Sequence, residues 1–156
     1  MMTLKVGSIA PLFNSVDQNG DEINLEKLRG KKVILYFYPK DDTPGCTAEA
    51  CSLRDGFSIL QRNGYVIIGV SPDNSVKHLK FIDKYNLPFP LIPDSDKSIL
   101  KAYEVWGPKK FMGRTYDGVI RTTFVIDENG IIIKIITKVD TKNHFDQLVN
   151  ELEIEK

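Results

Sequence analysis

Val33-Ile34-Leu35-Tyr36-Phe37-Tyr38-Pro39-Lys40-Asp41-Asp42-Thr43-Pro44-Gly45-Cys46 is the stretch that decides the fold. Its first six residues form an unbroken apolar run rich in β-branched and aromatic side chains, the pattern of a strand buried on both faces. Pro39 ends the run. Thr43 then offers an N-cap and Pro44 fits the first helical position, where its missing N–H would have had no partner. Cys46 therefore stands in the first turn of a helix that follows a central strand. A helix N-terminus presents unpaired backbone N–H groups and a partial positive charge, which favour thiolate over thiol. Thiolate is the nucleophilic form of cysteine.

The only other thiol is Cys51, five residues on in Cys46-Thr47-Ala48-Glu49-Ala50-Cys51. On one regular helix that separation means a rise of ~7.5 Å and a rotation of ~140°, so the Cα atoms lie roughly 8–9 Å apart. A disulfide requires about 4.4–6.8 Å. Any disulfide between the two requires the first turns of the helix to unwind. The helix is expected to run to Arg62 and stop at Asn63-Gly64. Gly45 and Gly56 are weak points within it, since glycine costs ~1 kcal/mol relative to alanine in a helix.

Working outward, Pro11 to Val16 and Glu22 to Leu25 flank Asn19-Gly20 as an N-terminal β-hairpin. A short helix is expected over Leu25 to Leu28. Tyr65 to Val70 repeats the buried-strand pattern, and Ser75 to Tyr85 carries Val76, Leu79 and Ile82 at helical spacing. Leu91-Ile92 reads as a short strand and Ser98 to Tyr103 as a short helix. Glu104 to Gly118, dense in glycine and aromatics, reads as a long functional loop. Arg121 to Ile126 and Ile131 to Ile136 flank Asn129-Gly130 as a second hairpin, and Phe145, Leu148, Val149 and Leu152 mark a closing helix. The succession β-α-β then β-β-α predicts an α/β fold of thioredoxin-like type, a central mixed β-sheet flanked by helices. The 156 residues suffice for one domain, residues 1–156, with a core that needs no staples.

Lysine plus arginine equals aspartate plus glutamate at 21 each, so no basic field exists to hold nucleic acid or an anionic membrane. The N-terminus lacks the long apolar segment of a signal peptide, and no apolar run approaches a membrane span. A cytoplasmic protein is expected, and two cysteines in a reducing compartment point to catalysis or sensing rather than a structural disulfide. No His/Cys cluster has metal-ligand spacing, and neither G-x-x-x-x-G-K-[ST] nor G-x-G-x-x-G occurs, so no metal and no cofactor is expected.

Pro39, Thr43 and Cys46 fit P-x-x-x-T-x-x-C, Glu49 extends it as C-x-x-E, and Arg121-Thr122-Thr123-Phe124-Val125-Ile126-Asp127 fits R-[ST]-T-F-[VL]-I-D. In these features the chain resembles the peroxiredoxins over nearly its whole length. Cys51 and the segment Val105-Trp106-Gly107-Pro108-Lys109-Lys110-Phe111-Met112-Gly113 resemble the bacterioferritin comigratory protein, or peroxiredoxin Q, subgroup. The resemblance implies a thiol peroxidase in which Cys46 attacks hydrogen peroxide or an organic hydroperoxide and becomes sulfenic acid. It implies that Thr43, Arg121 and the Cys46 N–H provide donors to the peroxide oxygens, that Glu49 orients Arg121 and that Pro39 shields the pocket wall. It further implies Cys51 as resolving cysteine, a Cys46–Cys51 disulfide, a thioredoxin-type reductant, and a monomer or weak dimer.

Read without the resemblance, Cys51 is core, Thr43 an ordinary N-cap, Pro39 a strand terminator, Arg121 a surface ion-pair partner and Glu49 a first-turn helix-dipole residue. Arg54-Asp55 would pair locally. Trp106, Phe111 and Met112 form either a hydrophobic collar or simple anchors. His78 and His144 fall far apart on separate helices. Two other functions compete. A thiol–disulfide oxidoreductase would carry C-x-x-C and a proline in Val119-Ile120-Arg121-Thr122, and this chain has neither. A redox-sensing module would use the Cys46 helix to release a partner.

Overall fold

The computed structural model describes residues 2–156. Strands β1 (Asn14–Val16) and β2 (Glu22–Asn24) pair antiparallel as the N-terminal hairpin, with Gly20 at φ 83° in its turn. A single 3₁₀ turn, Glu26–Leu28, takes the place of the short helix. Then come β3 (Lys32–Phe37), α1 (Pro44–Asp55), α2 (Phe57–Arg62), β4 (Tyr65–Ser71), α3 (Ser75–Tyr85), β5 (Leu91–Pro93) and α4 (Ser98–Ala102). The chain closes with β6 (Trp106–Phe111), β7 (Arg114–Val119), β8 (Thr122–Ile126), β9 (Ile132–Ile136) and α5 (His144–Leu152). The main sheet has the order β5-β4-β3-β8-β9; β3, β4 and β5 run parallel, while β8 and β9 are antiparallel to their neighbours.

Strand β3 is central, and its residues alternate between two cores, as a pleated strand buried on both faces must. Val33, Leu35 and Phe37 pack with Phe124, Leu100 and Tyr103 beneath α4 and the N-terminal hairpin. Ile34, Tyr36 and Tyr38 pack with Cys46, Ala50, Leu53, Leu60, Phe81 and Leu148 beneath α1, α2, α3 and α5. The result is the expected mixed sheet between two layers of helix. Register fixes the site: Phe37 pairs with Thr122, so Arg121 sits just beyond the carboxyl end of β3, where the chain turns into α1.

Three expectations change. The helix predicted through to Arg62 is interrupted at Gly56, which separates α1 from α2. A Cβ built on Gly56 would lie 2.1 Å from Phe145 Cδ1, so the ring of α5 occupies the space where a side chain would stand. Gly56 is thus a packing requirement rather than a weak point. Glu104 to Gly118 is no loop: β6 and β7 pair from Trp106↔Val119 to Phe111↔Arg114 around Met112 and Gly113, both in the left-handed region at φ 51° and 78°. This is the two-residue turn that suits strand twist, but with methionine where asparagine usually signals it. Trp106 packs against the core with Lys97 Nζ 5.1 Å from its ring centroid, whereas Phe111 and Met112 are exposed at the hairpin tip. No collar forms. Finally, Val76 and Leu79 of α3 face solvent, and the buried residues of that helix are His78 and Phe81.

Replacing Gly56 by alanine should lower the unfolding free energy by about 2 kcal/mol or more, because the Phe145 ring must move to admit a methyl group. Urea denaturation of the reduced proteins checks this; an unchanged midpoint would mean that α5 is not seated on α1 as described.

Candidate active site

Thr43 stands at the N-cap of α1 with extended backbone (φ −97°, ψ 155°), but its hydroxyl makes no cap hydrogen bond. It donates instead to the Lys40 carbonyl at 2.8 Å. The helix ladder begins with Thr47 N–H to Thr43 C=O at 2.8 Å. The Gly45 and Cys46 N–H groups precede that bond, and Pro44 has none. The first turn therefore keeps its amide donors for something other than the helix.

Cys46 is buried, only 1% exposed. Its sulfur accepts a hydrogen bond from Arg121 Nη2 at 3.3 Å. Arg121 Nη1 donates to Glu49 Oε1 at 2.6 Å, in an ion pair whose carboxylate is fully buried. Glu49 lies three residues after Cys46, so both side chains meet Arg121 from one helical face. Gly45 completes the fit: a Cβ there would lie 3.3 Å from Arg121 Nη2. Pro39 is half-buried at the bend that leaves β3. Cys51 is a free thiol, partly exposed on the same unbroken α1.

Behind the ion pair the structure brings in a residue that sequence reasoning left unassigned. His144, fully buried, approaches Glu49 Oε2 with Nε2 at 3.6 Å. Its Nε2 lies 2.9 Å from the Thr123 hydroxyl, and its Nδ1 lies 2.9 Å from Gln147 Oε1. Backbone groups orient the Gln147 amide: Nε2 donates to the Lys138 carbonyl at 2.9 Å, and Oε1 accepts the Asp140 N–H at 3.0 Å. His144 Nδ1 must therefore carry the proton. Burial holds the ring down to about 4, leaving Nε2 bare at neutral pH, an acceptor for Thr123. Burial also pushes Glu49 up to about 7 against the pull of Arg121.

A second buried network braces the approach to the helix. The Tyr38 hydroxyl donates to Asp41 Oδ1 at 2.6 Å, His78 Nδ1 lies 2.6 Å from Asp41 Oδ2, and His78 Nε2 lies 3.1 Å from the Ile92 carbonyl. Asp41 N–H donates to Asp73 Oδ2 at 2.7 Å. Asp42, at φ 59°, is held by Lys84 and the Tyr85 hydroxyl, each at 2.8 Å. One histidine thus lies behind Glu49 and the other beneath Asp41, though nothing local in the sequence shows that their helices turn them inward. Arg54 does pair with Asp55, at 3.0 Å, and also donates to the Tyr85 carbonyl at 2.8 Å.

Residues 6–135 match the AhpC/TSA family. Peroxiredoxin Bcp of Escherichia coli strain K12 is 43% identical, covering 97% of this chain and 97% of its own. The Bacillus subtilis peroxiredoxin Bcp is 44% identical over 97% of this chain and 96% of its own. The chain is a peroxiredoxin of the AhpC/TSA family. A solved structure of the Xanthomonas campestris bacterioferritin comigratory protein, concerned with its alkyl peroxide reduction, superposes with a TM-score of 0.85 at 28% identity, covering 98% of each chain. This peroxiredoxin is accordingly a thiol peroxidase with a thioredoxin-like fold, an oxidoreductase that acts on peroxide and needs a reductant.

The buried Glu49 and His144 have opposed effects on its stability. Glu49's folded value of about 7 lies above its ordinary 4.5, so the stability it contributes is lost as pH rises through that interval. His144's folded value of about 4 lies below 6.5, so its contribution is lost as pH falls through that interval. Each amounts to on the order of 3 kcal/mol at full extent. The wild type should therefore be nearly flat between pH 4.5 and 6.5, whereas Glu49→Gln should gain stability as pH rises there. Denaturant titrations across that window check this; parallel profiles for the two proteins would contradict it.

Proposed function

We propose that Cys46 is the peroxidatic nucleophile, Cys51 the resolving cysteine and a thioredoxin-type dithiol the reductant. The Arg121 hydrogen bond to Cys46 Sγ at 3.3 Å is the observation that carries this reading, because it sets a permanent cation beside a buried thiol in a first helical turn. The Cys46 thiolate attacks the near oxygen of ROOH; the S–O bond forms as the O–O bond breaks. The electron pair departs with RO⁻, which takes a proton to leave as alcohol or water, and sulfur becomes sulfenic acid. Negative charge thus moves from sulfur to the far oxygen. Arg121 and the Cys46 N–H offer donors along that path. The Thr43 hydroxyl gives its own proton to the Lys40 carbonyl, so toward the substrate it offers lone pairs that accept the proton of ROOH and fix the near oxygen, not the donor the resemblance implied. Glu49 fixes the guanidinium plane, and Pro39 offers no N–H to competing water.

Cys51 then attacks the sulfenic sulfur and expels hydroxide, forming a Cys46–Cys51 disulfide that exchange with an external dithiol reduces. Because α1 is continuous from Pro44 to Asp55, this step breaks its first turns. The C-terminal end is held by α5, where Phe145 N–H donates to Ser52 Oγ at 3.0 Å. Unwinding is therefore confined to the segment that carries both thiols. We assign both hydrogen peroxide and organic hydroperoxides as substrates, the latter in line with the alkyl peroxide reduction of the Xanthomonas relative. The protein is read as a single domain, a monomer or weak dimer of the cytoplasm. Among the described residues no helix is long and apolar enough to cross a membrane.

One equivalent of hydrogen peroxide added to the reduced wild type should remove two hydrogens by intact mass. Cys51→Ser should instead yield a dimedone-reactive sulfenic acid at Cys46. Oxygen addition without a disulfide in the wild type would reduce Cys51 to a core residue, and inertness of both proteins would remove Cys46 from its role. Arg121→Gln should slow Cys46 oxidation by about 10²-fold, read by stopped-flow, as expected for loss of one donor to a developing anion.

A further inference from the structure

The Glu49 carboxylate is partnered on one side only. Oε1 takes the Arg121 N–H at 2.6 Å, while Oε2 is buried without a hydrogen-bond partner. A buried carboxylate oxygen that lacks a donor is costly, and such an atom calls for a physical account. The group facing it is His144 Nε2 at 3.6 Å, and the hydrogen bonds that fix Nδ1 as donor leave a lone pair on Nε2. That lone pair accepts the Thr123 hydroxyl at 2.9 Å, so Nε2 has no N–H to offer Oε2 and sets an electron-rich atom beside it. An anionic Oε2 is repelled there, and a proton on Oε2 removes the repulsion.

From this geometry we infer that His144 is a positioning residue for the peroxidase reaction: its unprotonated Nε2, which offers Oε2 no donor, favours a proton on Glu49 and so governs how much of Arg121's positive charge is left to Cys46. With the proton in place, Glu49 still accepts from Arg121 through Oε1 but no longer neutralises it, and the cation faces only the sulfur. Without the proton, Arg121 is shared between two anions. The upward displacement of Glu49 to about 7 by burial agrees with a proton resident there in the working range.

The groups around this proton come from four elements. Cys46 lies on the same helix, and Arg121 precedes β8. His144 opens α5 and is acted on by Asp140. From β3, the Tyr36 phenol is fully buried with its oxygen also unpartnered, and Glu49 and Cys46 both act on it electrostatically. Tyr36 stays neutral, held far above its ordinary range chiefly by burial. Glu49 is the group among these that changes charge near neutral pH, while His144, held down to about 4 by burial, stays neutral beside it.

The inference rests on the reading of Arg121 as the group that serves Cys46, so its test is one that does not need turnover. The C=O stretch of a protonated carboxyl, followed by difference infrared titration and assigned by its loss in Glu49→Gln, reports the proton directly. His144→Gln places an amide where an N–H can donate to Oε2, and should move the Glu49 midpoint down by roughly one pH unit. Thr123→Val frees the Nε2 lone pair from its competing hydroxyl, and should move the midpoint up; it also covers the case in which His144→Gln fails to fold. The midpoint for Cys46 oxidation by peroxide should follow the infrared midpoint in each protein. A Glu49 band that titrates identically in wild type and both variants, or that never appears, overturns the inference. Infrared shifts with no accompanying change in the pH profile of oxidation would leave the proton in place but remove its link to Cys46.

Discussion

The Arg121 guanidinium ties the first turns of α1 to the chain just before β8, donating to the fully buried Glu49 through one nitrogen and to Cys46 through the other. Most of what positions the site follows from that clasp. The register that pairs Phe37 with Thr122 delivers Arg121 to the carboxyl end of β3, the Pro44 start of α1 delivers Cys46 there, and Gly45 leaves the guanidinium room to reach both partners. Removing either partner would leave a partly buried guanidinium with a hydrogen bond unmade, so the helix, the strand junction and the thiol are energetically one unit.

On the proposed mechanism a reactive thiol and a disulfide belong to two conformations of α1. In the folded helix Cys46 has its donors and is too far from Cys51 to bond, by the same ideal-helix geometry that sets ~8–9 Å between them. In the unwound segment the two can meet but the Arg121 contact to sulfur is given up. On that mechanism oxidation shifts the balance by taking away the sulfur charge that faces Arg121. The C-terminal half of α1 is anchored on α5 through Ser52 and Phe145, which is why the proposed change is confined to the turns before it.

Much of this was legible in the sequence because it is local. The apolar run from Val33, the Thr43-Pro44 helix start and the five-residue thiol spacing depend only on neighbours along the chain, and they point to the fold and to the thiol proposed as nucleophile. Glu49 and Arg121, 72 residues apart, were joined by motif resemblance, and the 2.6 Å bond supplies its physical content. What escaped was non-local or unconventional. Val76 and Leu79 gave α3 a false apolar face, since the tertiary polar network of Asp41 and Tyr38 draws His78 inward instead. Met112 disguised a hairpin turn as loop, and the bracing of Glu49 by His144 depends on how α5 docks, which no spacing within α5 reveals.

Amide hydrogen exchange on the reduced and the peroxide-oxidised protein tests most directly whether the clasp keeps nucleophile and disulfide in separate states of one helix. The account predicts strong protection across α1 when reduced, and after oxidation a loss confined to the Cys46–Cys51 turns, with Ser52 to Arg62 still protected. A disulfide formed with protection of the first turns unchanged, or protection lost through α2 and α5 as well, would contradict it.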